Sequence, residues 1–312
     1  MAVQLARQPK SLPTARRRRL PSWIKTRLPA GDTYRQLKQT VKLKGLATVC
    51  EEARCPNIAE CWNGGTATVM LLGDACTRGC RFCAVQTAKV PPPPNPKEPD
   101  ELAHMISGLG LTYVVLTMVD RDDLPDGGAR HVAAAVEALR QRVPELLVEV
   151  LVSDFRGNRD AIETVVAAAP AVFAHNLETV ASLTPTVRDP RCGYQQSLDV
   201  LAEAKRIRPQ VFTKTSLMLG LGETQAELAT ALRDLRAVGV DMVTFGQYLQ
   251  PSSKHLPVIE FLTPERFTEL GDWARDAFGF TYVASGPMVR SSYRAGELFV
   301  EKTLRQRQRG VS

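Results

Sequence analysis

Short apolar runs alternate with stretches of helical spacing from residue 66 to residue 285, and no other feature constrains the fold as strongly. The runs are TATVMLLG (66–73), LTYVVLT (111–117), LLVEVLV (146–152), AVFAH (171–175), VFTKTSLML (211–219), DMVTFG (241–246) and FTYVAS (280–285). They are nearly continuous in apolar residues, as strands covered on both faces are. Between them lie helical patterns such as AELATALRDLRAVG (226–239), which ends on a candidate glycine C-cap. Such alternation implies a parallel sheet, closed as a barrel or doubly wound. Six good repeats, beginning with the run at 66–73, predict an α/β chain built as a partial (β/α)6 TIM-like barrel. A barrel short of eight strands has a mouth wide enough for a large substrate.

The flanks differ from this body. Residues 1–30 carry eight Lys or Arg and no acid, including Arg16-Arg17-Arg18-Arg19, and read as a basic flexible tail. The sharper alternative for that tail is an organelle transit peptide. Residues 31–65 form an N-terminal extension, with helical spacing over 33–46. Residues 66–285 hold the barrel, and 286–312 form a C-terminal extension. PPPPNP (91–96) is incompatible with helix or inner strand and predicts a stiff loop.

The formal charge of the 312-residue chain is +7, but its ends hold more than all of it. The first thirty residues contribute eight positive charges and residues 301–312 a net three, so the body carries −4. That balance argues against a nucleic-acid partner. No apolar run is as long as a membrane span, and no secretory signal is present, so the expected location is the cytoplasm.

Six of the seven cysteines fall between residues 50 and 83. An odd total in a chain of this kind points to metal ligation in a reducing compartment rather than to disulfides. Cys76, Cys80 and Cys83, in CTRGCRFC, directly follow the first barrel strand and so belong at the C-terminal mouth, where barrel enzymes carry their sites. Three thiolates can hold three corners of an iron–sulfur cubane and leave one iron open for a ligand. The bland reading is a zinc knuckle with a distant fourth ligand, although only one C-x-x-C pair is present. Cys50, Cys55 and Cys61 precede them. On a helix they would point about 0°, 140° and 20° around the axis, and Pro56 breaks any helix there. They must converge through an irregular loop, which makes a second cluster the economical reading.

The C-x3-C-x2-C spacing after a first barrel strand, with Phe82 before the last cysteine, resembles that of the radical S-adenosylmethionine (SAM) enzymes. The resemblance implies that the open iron chelates SAM, whose reductive cleavage yields a 5′-deoxyadenosyl radical. The added C-x4-C-x5-C triplet is similar to that of one branch, the lipoyl synthases. So are PSWIK (21–25), CEEARCPN (50–57), RDDLPDGG (121–128), AHNLETV (174–180), TKTSLMLGLGE (213–223) and GPMVRSSYRAGE (286–297). This branch resemblance implies two [4Fe–4S] clusters, the radical one on Cys76, Cys80 and Cys83 and an auxiliary one on Cys50, Cys55 and Cys61. Ser292 is implied as the auxiliary cluster's fourth ligand, with Ser291 as its rival. An alkoxide is a harder partner for iron than thiolate, so that corner releases iron more readily. The implied reaction inserts two sulfur atoms at carbons six and eight of a protein-bound octanoyl-lysine, with the auxiliary cluster as sulfur source.

The partners this implies are an octanoylated lipoyl carrier domain or glycine-cleavage carrier protein, an electron donor, and an iron–sulfur cluster carrier. Candidate SAM contacts are Phe82, Asn176, Glu178, Ser216, Gly220 and Glu223, with Glu223 expected in a first helical turn, where the dipole favours it. His175 is a further candidate, and Lys214 is placed to point into the barrel and bind a carboxylate. RDDLPDGG reads as a turn at the mouth. Cys192, His104, His131 and His255 read as structural or surface residues. Two other classes compete: a biotin synthase or tRNA methylthiotransferase type of sulfur insertion, and a non-catalytic metal-binding module.

Overall fold

The computed structural model describes residues 19–24, 47–48, 68–292 and 303. The predicted helix at 33–46, Cys50, Cys55 and Cys61, and most of both extensions lie outside the described residues.

The strands are β1 (Ala47–Thr48), β2 (Thr68–Leu71), β3 (Ala75–Cys76), β4 (Gln86–Thr87), β5 (Tyr113–Met118), β6 (Leu147–Leu151), β7 (Val172–Ala174), β8 (Phe212–Leu219), β9 (Met242–Gln247) and β10 (Tyr282–Gly286). The helices are α1 (Glu98–Ser107), α2 (Ala129–Arg142), α3 (Arg159–Ala167), the single turn α4 (Thr184–Val187), α5 (Tyr194–Ile207), α6 (Gln225–Ala237) and α7 (Pro264–Phe278). The main sheet runs β1-β2-β5-β6-β7-β8-β9-β10. From β2 to β10 every pairing is parallel, while β1 pairs antiparallel with β2. Six strand–helix units followed by a seventh parallel strand therefore make up the expected partial barrel. Among the described residues β10 pairs with β9 alone, so the sheet stays open.

Each connecting helix turns an apolar stripe to the sheet. α2, for example, buries Val132, Ala133, Val136 and Leu139 while its arginines stay out. Two large apolar clusters fill the space between sheet and helices, and Val115, Val172, Phe212 and Met242 form a third, smaller one. Full burial of each aliphatic or aromatic side chain is worth about 1.5–3 kcal/mol.

Lys214 does meet a carboxylate, but it is the protein's own. Its Nζ lies 2.7 Å from Oε1 of Glu149, both side chains are almost fully buried, and Tyr113 donates to the same carboxylate at 2.6 Å. The pair sits in the lower half of the sheet, where Lys214 is in register with Met242 near the start of β9. At the other end, Trp23 of the PSWIK motif donates from Nε1 to the Leu262 carbonyl at 3.1 Å, fixing a segment far away in sequence beside the start of α7.

Candidate functional site

The loop after β2 is closed at its base by β3 and β4, and the amide of Ala88 donates to the Cys76 carbonyl at 2.9 Å. Cys76 ends β3, and a tight turn in which the Cys83 amide donates to the Cys80 carbonyl brings the other two cysteines round. Strand ends on the mouth side hold this loop. The Thr77 amide and hydroxyl both donate to the Asp120 carbonyl at 2.9 Å, and the Gly79 amide donates to Asp189 at 2.8 Å. His255 donates to the Cys83 carbonyl at 2.9 Å, which makes it a buttress of this loop.

Arg78 lies at the centre of that attachment. Its side chain is about 1% exposed and makes paired hydrogen bonds with Asp122, at 2.8 and 2.9 Å, and with Asp154, both at 2.7 Å. Asp120 adds an ion pair at 3.3 Å. Burial opposes the guanidinium charge, but the bonds to Asp122 and Asp154 outweigh it and hold the group firmly protonated. These acids stand where β5 and β6 end, so one arginine ties the cysteine loop to two strands. RDDLPDGG is thus more than a turn: its Asp122 grips Arg78, and its buried Arg121 pairs with Asp123 and donates to the Leu72 carbonyl.

The three cysteines line a single cavity of about 240 Å³ that also reaches Phe82, Asp120, Asn176 and Glu178. All three are partly exposed. Burial, then Asp120, pushes the Cys76 thiol up to about 12. A hydrogen bond to Cys192, and then burial, raises Cys80, and burial raises Cys83. The site therefore holds neutral thiols until a metal takes their protons. Cys192 was expected to be structural or on the surface. It is buried in this same cavity, with the Arg78 guanidinium donating to its sulfur at 3.3 Å. Neither residue type announces this in the sequence, because the two are 114 positions apart.

Glu178 follows β7 with φ of +69°, the left-handed region that L-residues avoid at a cost of roughly 1–2 kcal/mol. Two backbone bonds to β8 hold it there, one to the Ser216 carbonyl and one from the Met218 amide. Asn176 donates to its carboxylate at 3.1 Å, and burial raises that carboxyl above its ordinary range. Ser216 is buried on β8. Gly220 has φ of +94°, and a side chain there would strike Gln247 and the Glu260 carbonyl. Glu223 precedes α6 rather than sitting in its first turn, because Thr224 is the N-cap and Glu227 completes the capping box. Its carboxylate accepts from the Gly220 and Leu221 amides at 2.6 and 2.9 Å, so it shapes the turn after β8. Ser292 lies in the turn just past β10, on the mouth side, and is half-buried.

His175 uses both ring nitrogens. Nδ1 donates to the Val152 carbonyl at 2.9 Å, and Nε2 accepts from Ser197, whose oxygen also receives Arg188 at 2.7 Å. Burial, then the positive charge of Arg188, lowers its pKa from 6.5 to about 4. As pH falls the unfolded chain takes up this proton first, so stability is complete above about pH 6.5. It should fall by roughly 3 kcal/mol down to pH 4. Asp120, raised by burial to about 6, works in the opposite sense over part of that window. Urea midpoints at pH 7 and pH 5 for the wild type and His175→Gln isolate the histidine: the drop should be smaller in the variant, and equal drops refute this assignment.

The donor set suits an iron–sulfur cluster. Three soft thiols face one cavity, and thiolates are the donors that iron–sulfur clusters take. The structure resembles that of a maturase of the [FeFe]-hydrogenase from Carboxydothermus hydrogenoformans, with a TM-score of 0.55 at 13% identity over 88% of this chain and 78% of that one. It also resembles methylornithine synthase, with a TM-score of 0.51 at 15% identity over 70% of each chain. Residues 70–235 match the model of the radical SAM superfamily, and residues 4–55 match that of the N-terminal domain of lipoyl synthase of this family. A lipoyl synthase of Anaeromyxobacter dehalogenans is 58% identical over 92% of this chain and 97% of its own length. A mitochondrial lipoyl synthase of Drosophila erecta is 54% identical over 94% and 78%.

The chain belongs to the lipoyl synthase family.

Membership of the lipoyl synthase family makes it a radical SAM enzyme of the sulfur-inserting kind. The radical SAM domain brings with it one [4Fe–4S] cluster and SAM. The match over residues 4–55 sets aside the biotin synthase and tRNA methylthiotransferase types, and the non-catalytic module falls with them. Among the described residues no helix is long and apolar enough to cross a membrane.

Proposed function

We propose that this protein inserts two sulfur atoms, at carbons six and eight, into an octanoyl group amide-linked to a lysine of a carrier protein. The observation that carries the reading is the cavity at the barrel mouth shared by Cys76, Cys80 and Cys83 with Asn176 and Glu178. In this reading the three cysteines hold the radical cluster, and Cys50, Cys55, Cys61 and Ser292 hold an auxiliary one. When bound, the clusters and SAM supply a primary carbon radical able to take hydrogen from an unactivated C–H bond, and the sulfide that replaces it.

The chain's own residues position and enclose. Arg78 and Asp189 keep the cysteine loop against the strand ends, and Phe82 and Glu178 line the cavity beside the cysteines. The Gly220–Glu223 turn shapes the rim beyond β8. Fixing the reacting carbon near the radical source and excluding water are what a protein contributes to such chemistry.

The partners in this reading are an octanoylated lipoyl domain or glycine-cleavage carrier protein, an electron donor, and a carrier that rebuilds the auxiliary cluster. In this reading the clusters need a reducing compartment, here the cytoplasm.

The test uses anaerobically reconstituted protein, SAM, dithionite and a peptide bearing an octanoylated lysine. Mass spectrometry should show 5′-deoxyadenosine and replacement of two hydrogens by two sulfurs. Ser292→Ala and Cys55→Ala should still release 5′-deoxyadenosine while losing sulfur insertion. A peptide that never gains sulfur despite SAM cleavage refutes the substrate.

A further inference from the structure

Cys192 is a fourth thiol at a site whose chemistry calls for three. It lies in the cavity of Cys76, Cys80 and Cys83. The backbone holds the two together: the Asp189 amide donates to Cys80 Sγ at 3.4 Å, and the Cys192 amide donates to the Asp189 carbonyl at 2.8 Å. One residue thus bridges both cysteines. Arg78 Nη1 stands 3.3 Å from the Cys192 sulfur, and Arg188, 6% exposed, faces the same cavity with Nε unpaired. Cys80 is the more exposed of the two and Cys192 is enclosed.

We propose that Cys80 and Cys192 are a thiol–disulfide pair that closes when the radical cluster is absent, so that loading the cluster first requires a reductant. The inference rests on the reading of Cys80 as a ligand of that cluster. The oxidant is a small-molecule disulfide such as glutathione disulfide. Cys80 gives up its proton to the buffer as it attacks one of the oxidant's sulfurs, forming a mixed disulfide and releasing one glutathione thiolate. Cys192 then attacks the Cys80 sulfur, the protein disulfide forms, and the second glutathione leaves. Two protein thiols are oxidised, one small disulfide is reduced to two thiols, and the protons lost by the cysteines end on glutathione or in the buffer. A cluster bound at Cys80 removes the attacking sulfur, so the loaded enzyme is protected. A cluster-free chain with the pair closed offers the cluster only Cys76 and Cys83.

The experiment treats the cluster-free full-length chain with glutathione disulfide, alkylates the remaining thiols, and maps peptides without reduction. The expected product joins the peptides containing Cys80 and Cys192. In Cys192→Ala that cross-link is lost and Cys80 keeps its glutathione adduct. Oxidised wild-type protein should bind about four fewer irons per chain on reconstitution, and dithiothreitol should restore them. Alkylated, free Cys192 in the oxidised wild type, or a bond from Cys80 to Cys76 or Cys83, overturns the proposal. The two readings fail separately. A Cys80–Cys192 bond in a protein that, once reduced and reconstituted, never cleaves SAM sinks the proposed function alone. SAM cleavage with no such bond sinks the pair alone.

Discussion

Arg78→Met should destabilise the fold by about 3–5 kcal/mol, the cost of breaking a buried ion pair by removing one partner. The arginine satisfies Asp154, whose side chain is fully buried, and Asp122, and it offsets Asp120. Methionine fills similar volume but leaves these carboxylates facing one another with no cation between them. Arg191 still reaches Asp122 at 3.0 Å and cannot replace the lost bonds to Asp154. Lysine keeps the charge yet lacks the planar fork that bonds two carboxylates at once, so Arg78→Lys should recover only part of the loss. Urea unfolding of the cluster-free full-length chain measures both. Because Arg78 is also the tether of the cysteine loop, Arg78→Lys should bind iron less completely at denaturant concentrations where it remains folded. Wild-type midpoints in both variants would show that the carboxylates find other partners.

Cys83→Ser should abolish 5′-deoxyadenosine production under reducing conditions. In the proposed reading Cys83 supplies one of three iron ligands, and His255 holds its carbonyl and so the backbone that carries its sulfur. A hydroxyl is a harder and less acidic donor than a thiol and holds iron far more weakly. The variant should lose about four irons per chain, the content of one cubane, while its thermal unfolding stays close to that of the cluster-free wild type. Folded protein with diminished iron and no SAM cleavage is the expected result. Retained cleavage would remove Cys83 from the ligand set.

The alternation of apolar runs and helical stretches determined the parallel sheet, because periodicity records which faces of each segment are buried. The order of the strands then follows from connection lengths and handedness. The spacing of Cys76, Cys80 and Cys83, placed after a strand, likewise located the mouth. These signals are local, and physics reads them within a window of a few residues. Glu223 shows the limit even there: one position separated a residue in the first helical turn from one that closes the preceding loop, and the Thr224 capping box decided it.

Which charges neutralise one another was settled only by tertiary structure. Asp120, Asp122, Asp154 and Asp189 look in sequence like solvated turn acids, and the one available clue was that the first three each follow a strand. Folding brings strand ends 30 to 80 residues apart to a single rim, where Arg78 meets Asp122 and Asp154 across 44 and 76 positions. Lys214 and Glu149, 65 positions apart, form their pair by the same convergence. Cys192 is the plainest case. No pattern in its neighbourhood distinguishes it from an ordinary core cysteine, and it acquires a role only because the loop after α4 packs against the cysteine loop. Hydrophobic patterning is non-directional and survives in a one-dimensional record. Hydrogen bonds and ion pairs need partners within about 3 Å, and only the folded chain fixes such distances.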